Sequence, residues 1–187
     1  MASIVEKRKH QIAGMVGSIW GVTGVFILLG SAVYRLTPLA LAAFSLTFQW
    51  YHWLAWTLCI VCMAHAEGYR GFQLHFSPRV AARALYLKEH PRIIHVIFAP
   101  LFCMGYFHAT RRRQVISISL TAGIIVLIIA VHRVEQPWRG IIDAGVVTGL
   151  AWGIISLFWF SIRVFTKGIC DCSPEVPESN LLITRRL

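Results

Sequence analysis

Acidic residues are scarce in this sequence, where 8 Asp and Glu stand against 18 Lys and Arg in 187 residues. All charged residues together make up 14% of the chain, whereas a soluble domain carries about a quarter. The sequence also lacks a GxSxG nucleophile elbow, a P-loop, a zinc-protease motif and the clustered histidines of membrane di-iron enzymes. These absences argue against a soluble domain, and they argue against an enzyme without excluding one.

Long apolar runs take the place of charge in this chain. Hydrophobic residues make up 57% of it, and the mean hydropathy is +0.64. The basic residues lie between the apolar runs, as in the loops that flank membrane helices, rather than in the single patch of a nucleic-acid-binding domain. Because backbone polar groups in lipid must be paired within their own segment, the runs are expected to be helices. The sequence therefore predicts an all-α integral membrane protein that contacts the lipid bilayer and no nucleic acid.

Five segments are apolar enough to be embedded in a bilayer, for which about 20 residues are needed. Pro38 suits the start of the second segment, because proline is tolerated in the first turn of a helix. The five segments lie at roughly 12–34, 39–66, 93–110, 115–131 and 140–162. The predicted organisation is a basic tail at 1–11, segments 1 and 2 within 12–66, a basic cytoplasmic connection at 67–92, segments 3 to 5 within 93–163, and a polar C-terminal tail at 164–187.

The connection at 67–92 is predicted to be irregular where glycines interrupt it and helical further on. Ser77 and Pro78 form a helix opening, a cap followed by a first-turn proline. In the residues that follow, Arg79 and Arg83 fall on one face of the helix, and apolar side chains fall on another. This pattern predicts either an amphipathic surface helix between segments 2 and 3, or a short helix packed on the bundle.

The distribution of the basic residues distinguishes two possible topologies, both with a cytoplasmic N-terminus. Five crossings divide the Lys and Arg residues almost evenly between the two sides of the membrane. If the third segment is re-entrant on the cytoplasmic face, only Arg35, Arg133 and Arg139 of the 18 basic residues lie outside. The positive-inside rule prefers four crossings with this re-entrant segment, and Pro100 and Gly105 permit the bend. An apolar stretch of this length usually crosses, however, so both topologies stay open, and composition favours a bacterial-type inner membrane.

Glycines spaced four residues apart predict close helix packing in two segments. Because lipid supplies no hydrophobic drive between helices, association depends on backbones that approach closely, which glycine permits. The packing partner is this chain's own bundle, a second copy of the chain or another membrane protein. The glycines are Gly17 and Gly21 in segment 1, and Gly145, Gly149 and Gly153 in segment 5.

Polar side chains inside a membrane are costly, so each is a candidate for function. At 100° per residue, several of them form a stripe on the second segment, consisting of Ser45, Gln49, His52 and Cys59. We expect this stripe to face the bundle interior, where it either lines a transport path or ties helices together by hydrogen bonds. Asp143 is the lone acidic residue of segment 5, and it either pairs with Arg139 or binds a proton or cation.

Four histidines suggest a haem site as an alternative. His52 and His65 lie thirteen residues apart on the second segment, and His95 and His108 repeat this spacing on the third. On antiparallel helices, His52 would share a depth with His108, and His65 with His95, as the paired imidazole ligands of b-type haems require. Thirteen residues turn an α-helix by about 220°, so one haem between His52 and His108 is feasible and two in the same interface are not.

Two functions from different classes follow from these patterns. The first is non-enzymatic: a small permease, or an accessory or assembly subunit of a membrane complex. A permease predicts that Gln49, His52 and Asp143 line one water-accessible cavity, whereas an accessory subunit predicts an exposed glycine or aromatic face. The alternative is electron transfer through a b-type haem held by His52 and His108, and haem b is the one cofactor that the sequence suggests.

Overall fold

The computed structural model describes residues 2–168 and 172–176 of the chain, so 169–171 and 177–187 of the predicted tail lie outside the described residues. Within the described ranges every regular element is a helix and none is a strand, which confirms the all-α class. The elements are α1 (Ala2–Ala42), a 3₁₀ turn (Ala43–Ser45), α2 (Trp50–Met63), a π-helix (Ala64–Phe76), α3 (Ser77–Glu89), α4 (Ile93–Ile97), α5 (Ala99–Met104), α6 (Arg111–Val131) and α7 (Trp138–Lys167).

In the described part of the chain, three stretches of helix are long and apolar enough to cross a membrane. They are Arg8–Ser45, Arg111–Val131 and Trp138–Thr166, with mean hydropathies of 2.0, 2.5 and 1.8 in their most apolar windows. Their lengths of 38, 21 and 29 residues meet the need for about 20 residues to span a bilayer. They cover the predicted segments 1, 4 and 5 and are compatible with an integral membrane protein.

The predicted boundary between segments 1 and 2 is wrong. Pro38 does not begin a helix but lies inside α1, which continues to Ala42. So close to the end of a 41-residue helix, the missing N–H of a proline removes a single bond from the ladder. The helix breaks at residues 43–49 instead, and α2 begins at Trp50.

Helical structure replaces the predicted irregular stretch after segment 2. The π-helix follows α2 directly, and α3 follows the π-helix directly. Gly68 and Gly71 lie inside the π-helix and do not interrupt it. Because π-helical hydrogen bonds join residues i and i+5 and are usually limited to one turn, the 13 residues of this π-helix are an unusual feature of the chain.

The helix α3 is packed on several sides rather than laid on a surface. Pro78 stands in its first turn. The consecutive residues Val80, Ala81, Ala82 and Arg83 are each no more than 4% exposed, and at 100° per residue they are spread around the whole helix. The amphipathic surface helix is therefore not found, and the alternative of a short packed helix describes α3.

The third predicted segment does not form one membrane-length helix. It is divided into α4, of 5 residues, and α5, of 6 residues, which at 1.5 Å per residue extend less than about 10 Å each. Phe98 separates the two helices, just before Pro100, and Gly105 ends α5 in the left-handed conformation at φ +85°. Five crossings are therefore not confirmed.

The chain groups into two compact units. The first unit holds the described residues within Met1–Phe26, Phe76–Ile118 and Leu157–Leu187, so it contains the start of α1, all of α3 to α5, the start of α6 and the end of α7. The second unit holds Ile27–His75 and Ser119–Ser156, which include α2 and nearly all of the π-helix.

Arg83 joins α3 to other stretches of the first unit. Its side chain is buried, and its Nε donates to the Phe102 carbonyl at 2.6 Å. Its terminal nitrogens donate to the carbonyls of Pro174, Phe107 and His108 at 2.9, 3.0 and 3.1 Å. Burial lowers the pKa of Arg83 to about 10, so the guanidinium stays charged at neutral pH and the carbonyl dipoles compensate its burial.

Candidate functional site

Three of the four glycines of α7 form a groove that the preceding helices fill within the second unit. A Cβ atom on Gly145 would lie 2.6 Å from the Cys59 Sγ, and one on Gly153 would lie 2.6 Å from the Phe72 ring. At Gly149, a Cβ would lie 3.1 Å from both the Cβ and Oε2 of Glu67. We call Gly145, Gly149 and Gly153 the α7 groove, and only residues without a side chain allow α2 and the π-helix to approach it this closely.

The π-helix sets which of its residues face α7. Gly68 lies against Trp152, where a Cβ on the glycine would be 2.9 Å from the Cβ and Cγ of the tryptophan. Five residues further on, the Gln73 Oε1 accepts a hydrogen bond of 2.8 Å from the Trp152 Nε1. Glu67 and Phe72, which both contact the α7 groove, are also five residues apart. This spacing is that of a π-helix, in which residues i and i+5 lie above one another.

Glu67 is the acidic side chain that this register brings to α7. It is half-buried and lies beside Gly149, near the middle of the 29-residue apolar stretch Trp138–Thr166. The ion pairs between described residues involve the carboxylates of Glu175 and Asp143 instead. The Glu67 carboxyl group therefore lies against an apolar helix without a compensating cation from the described part of the chain.

A single half-buried carboxyl group beside an apolar helix is better suited to a proton than to a metal ion. Charging it is costly where water is scarce, and taking up a proton removes that cost. Calcium and magnesium instead require about six oxygen ligands. In the described residues, no group of three or more His, Cys, Asp or Glu side chains could hold a metal ion. The arrangement around Glu67 can therefore bind and release a proton.

The residues of the predicted polar stripe do not lie on one helix. Ser45 belongs to the 3₁₀ turn, and Gln49 is the N-cap of α2. Gln49 and His52 form a capping box, in which the Gln49 N–H donates to the His52 Nδ1 at 3.1 Å. Cys59 lies on α2 at the α7 groove. The segment breaks before Trp50, so Ser45 and Gln49 cannot continue the face that carries His52 and Cys59.

Asp143 lies beside Arg139, one turn earlier in α7. The Arg139 Nε and the Asp143 Oδ2 are 3.8 Å apart, and Asp143 is buried. The Arg139 Nη2 is also 3.5 Å from the His132 Nε2. Of the two interpretations of Asp143, this geometry fits the ion pair within one helix.

The structure brings together a different pair of histidines from those predicted. His52 and His65 belong to the second unit, whereas His95 and His108 belong to the first. The His95 and His108 ring centroids lie 4.6 Å apart, whereas iron–nitrogen bonds of about 2 Å already place the nitrogens alone about 4 Å apart across a haem. The His95 ring also stacks on Phe102 at 4.8 Å. A porphyrin does not fit between His95 and His108.

Four of the five glycines of segment 1 are covered within the first unit, whereas a Cβ on the fifth, Gly30, would meet no atom within 4 Å. A Cβ on Gly17 would lie 2.9 Å from the Val96 side chain, and one on Gly21 would lie 2.7 Å from the Cys103 Sγ. Gly14 and Gly24 likewise contact Lys88 and Pro100. The helices α3 to α5 and the residues that join them therefore occupy this face of α1.

Sequence reasoning missed Glu67 and Gln73 because it placed both in a cytoplasmic loop. The α-helical period ends at residue 66, where glycines and charges begin. Contacts at five-residue spacing, from Gly68 to Gln73 and from Glu67 to Phe72, are the signal of a π-helix. A period of five in this stretch could have indicated that both polar residues face one neighbour.

Comparison with protein-family models, with curated proteins and with solved structures found no match to this chain. Fold alone does not determine activity, so the site carries the information on function.

Proposed function

We propose that the protein is a small permease that moves protons across a membrane, with Glu67 as the group that takes up and releases each proton. The observation that carries this proposal is the half-buried Glu67 carboxyl group beside Gly149, near the middle of an apolar helix. Ionisable residues inside a membrane commonly belong to ion pathways, because their cost must be offset by a function.

The π-helix supports the same proposal. Its wider turns carry Glu67 and Gln73 toward α7, which a regular α-helix with a period of 3.6 residues would not do. The Gln73 side chain is held by Trp152 and offers a second polar group on this face of the π-helix. π-Helical turns are also frequent at functional sites.

The proposed topology has four crossings: α1, α2 together with the π-helix, α6 and α7. In this arrangement α4 and α5 stay on the side of the N-terminus, as in the re-entrant alternative. The support is that the start of α1, the start of α6, the end of α7 and all of α4 and α5 belong to one compact unit. The positive-inside rule then makes this side cytoplasmic, and Glu67 lies within the second crossing.

The other candidate functions have less support. An accessory subunit was expected to leave a glycine or an aromatic face exposed. The α7 groove and Gly17 and Gly21 of segment 1 contact residues of this chain, whereas Trp50 and Trp53 of α2 are exposed. The haem alternative requires His52 and His108, which belong to different compact units, and the contact between His95 and His108 excludes a haem from that pair. The position of the Glu67 carboxyl group against α7 favours the permease over both other candidates.

Proton flux into liposomes tests the proposal directly. The purified protein is reconstituted into liposomes that contain a pH-sensitive dye and potassium, and valinomycin then sets an inside-negative potential. We expect wild-type protein to acidify the lumen, Glu67→Asp to retain part of the rate, and Glu67→Gln to fall to the rate of empty liposomes. The control is Glu135→Gln, since Glu135 is an exposed residue between α6 and α7.

The variants must be folded for the comparison to count. Glutamine has nearly the size of glutamate and removes only the charge, so Glu67→Gln is expected to melt at or above the wild-type temperature in detergent. A wild-type protein without flux above empty liposomes, or a Glu67→Gln variant with the wild-type rate, would overturn the proposal.

A further inference from the structure

A cavity lined by arginines lies in the first unit. Its volume is ≈ 330 Å³, which falls in the range of small-molecule sites of roughly 300–1,000 Å³. Its described lining combines three arginines with one acidic residue and two others: Arg79, Arg112, Arg113, Glu175, Thr110 and Ile116. None of these residues takes part in the proposed proton path.

Glu175 marks where anionic oxygens can lie in this cavity. Its Oε1 is 3.8 Å from the Arg79 Nη1, and its Oε2 is 4.0 Å from the Arg113 Nε. Charge-assisted hydrogen bonds are shorter, at about 2.7–2.9 Å, so neither of these two ion pairs with Glu175 is at hydrogen-bonding distance. The Glu175 backbone has φ +50°, which is uncommon for a residue other than glycine. Its carbonyl accepts a hydrogen bond from the Thr110 N–H at 3.1 Å.

The position of α6 indicates the source of the anion. Arg112 and Arg113 lie in the first turn of α6, which is also where the apolar stretch Arg111–Val131 begins. The end of a membrane helix lies at the level of lipid headgroups. Ile116, one turn further into the helix, adds an apolar wall to the cavity. A molecule that fits has an anionic oxygen group at one end and an apolar part beside it.

We propose that this cavity binds the phosphate group of an anionic phospholipid headgroup. Arg79, Arg112 and Arg113 hold the phosphate oxygens, because each guanidinium presents several donors that match a phosphate. Basic pockets beside membrane helices favour such headgroups, with about 1 kcal/mol for each basic residue near the surface. The Glu175 carboxylate competes with the lipid for two of these arginines.

Native mass spectrometry of the full-length protein in detergent measures this binding. The probes are phosphatidylglycerol, zwitterionic phosphatidylcholine and inorganic phosphate, each titrated separately. We expect phosphatidylglycerol to bind most tightly, and Arg112→Gln to weaken it about fivefold, the loss of one basic contact. The matched control is Arg133→Gln, which removes an exposed arginine between α6 and α7 and should leave the Kd unchanged.

A variant that gains affinity shows that the change in binding does not come from misfolding. Glu175→Gln removes the competing charge and is expected to tighten phosphatidylglycerol binding. Equal affinity for phosphatidylglycerol and phosphatidylcholine, or no effect of Arg112→Gln, would overturn the site. If inorganic phosphate binds as tightly as phosphatidylglycerol, the site takes phosphate from solution and the assignment to a lipid is wrong.

Discussion

Arg83 illustrates how a charged residue is accommodated in the interior of this protein. Among the residues that the structure describes, its hydrogen-bond acceptors are the carbonyls of Phe102, Phe107, His108 and Pro174, and none of them is a carboxylate. Its guanidinium carbon also lies 4.3 Å from the centroid of the Phe102 ring. Carbonyls that would otherwise be buried without donors are satisfied in this way, so the arginine organises the irregular chain after α5.

Replacing Arg83 with lysine tests this role. The ammonium group keeps the charge but has fewer donors and cannot fork toward several carbonyls, so we expect a loss of about 3 kcal/mol in the free energy of unfolding. Chemical unfolding in mixed micelles measures the loss, and Arg133→Lys at an exposed position is the control. A wild-type stability for Arg83→Lys would contradict the role.

The lowered pKa of Arg83 makes its contribution to stability depend on pH. Since burial lowers this pKa to about 10 in the folded protein, the unfolded chain binds the proton more tightly. The contribution of Arg83 to stability therefore rises as the pH passes above 10, and it is constant around neutral pH, where both states are charged.

The charge of Glu67, unlike that of Arg83, is not compensated by described residues. No cation from the described residues compensates its half-burial, so its charged form is expected to destabilise the fold. Proteins retain such residues where activity requires them, and their removal then raises stability while it abolishes function. This combination separates a functional Glu67 from a structural one.

At the scale of elements, the π-helix and the α7 groove depend on each other. The groove admits the π-helix because Gly149 and Gly153 lack a Cβ, and the π-helix presents Glu67, Gly68 and Phe72 to α7. By contrast, most of α6 is exposed on all sides, and a Cβ on Gly123 would meet no atom within 4 Å. An apolar helix that is exposed all round suits contact with lipid.

Alanine substitution of these glycines should separate the two helices. Gly153→Ala would place a Cβ 2.6 Å from the Phe72 ring, and we expect such overpacking to cost about 1–3 kcal/mol. Gly123→Ala, in open space on α6, should leave the melting temperature unchanged or slightly raised. Thermal unfolding of both variants in detergent measures the difference, and equal melting temperatures would show that the α7 groove is not tightly packed.

At the scale of the whole molecule, the number of crossings decides which connecting segments share one side of the membrane. The proposed four crossings put the exposed residues Thr47 and Glu135 on one side of the membrane and His90 on the other. Five crossings would instead place Glu135 on the same side as His90. A single position therefore distinguishes the two topologies.

Labelling of single cysteines with a membrane-impermeant thiol reagent reads out this topology. Thr47→Cys, His90→Cys and Glu135→Cys are each made in a variant without the native cysteines and reconstituted in one orientation. We expect Thr47→Cys and Glu135→Cys to react from the same side and His90→Cys from the other. Reaction of Glu135→Cys together with His90→Cys would support five crossings and leave Glu67 in a different environment from the one proposed.

The sequence predicted some elements closely and others poorly, for identifiable reasons. The apolar runs of α6 and α7 are continuous and contain no proline. The predicted ends of segments 4 and 5 therefore lie within five residues of the ends of these helices. Pro38 suits the first turn of a helix, and this local preference predicts a helix start that the structure does not have, because α1 continues past it to Ala42. In the third segment, Pro100 and Gly105 indicated a bend, but not that the segment would form two short helices.

Composition and apolar periodicity by themselves determined that this protein is helical and has membrane-length apolar segments, because hydrocarbon contact and backbone pairing act on each segment separately. Tertiary structure alone decided that Glu67 lies against Gly149, because a π-helix changes which residues share a face and leaves little periodic signal. It also decided that Arg79 and Arg113 meet Glu175. These residues are far apart in the chain, and no local pattern of charge or hydropathy encodes their contact.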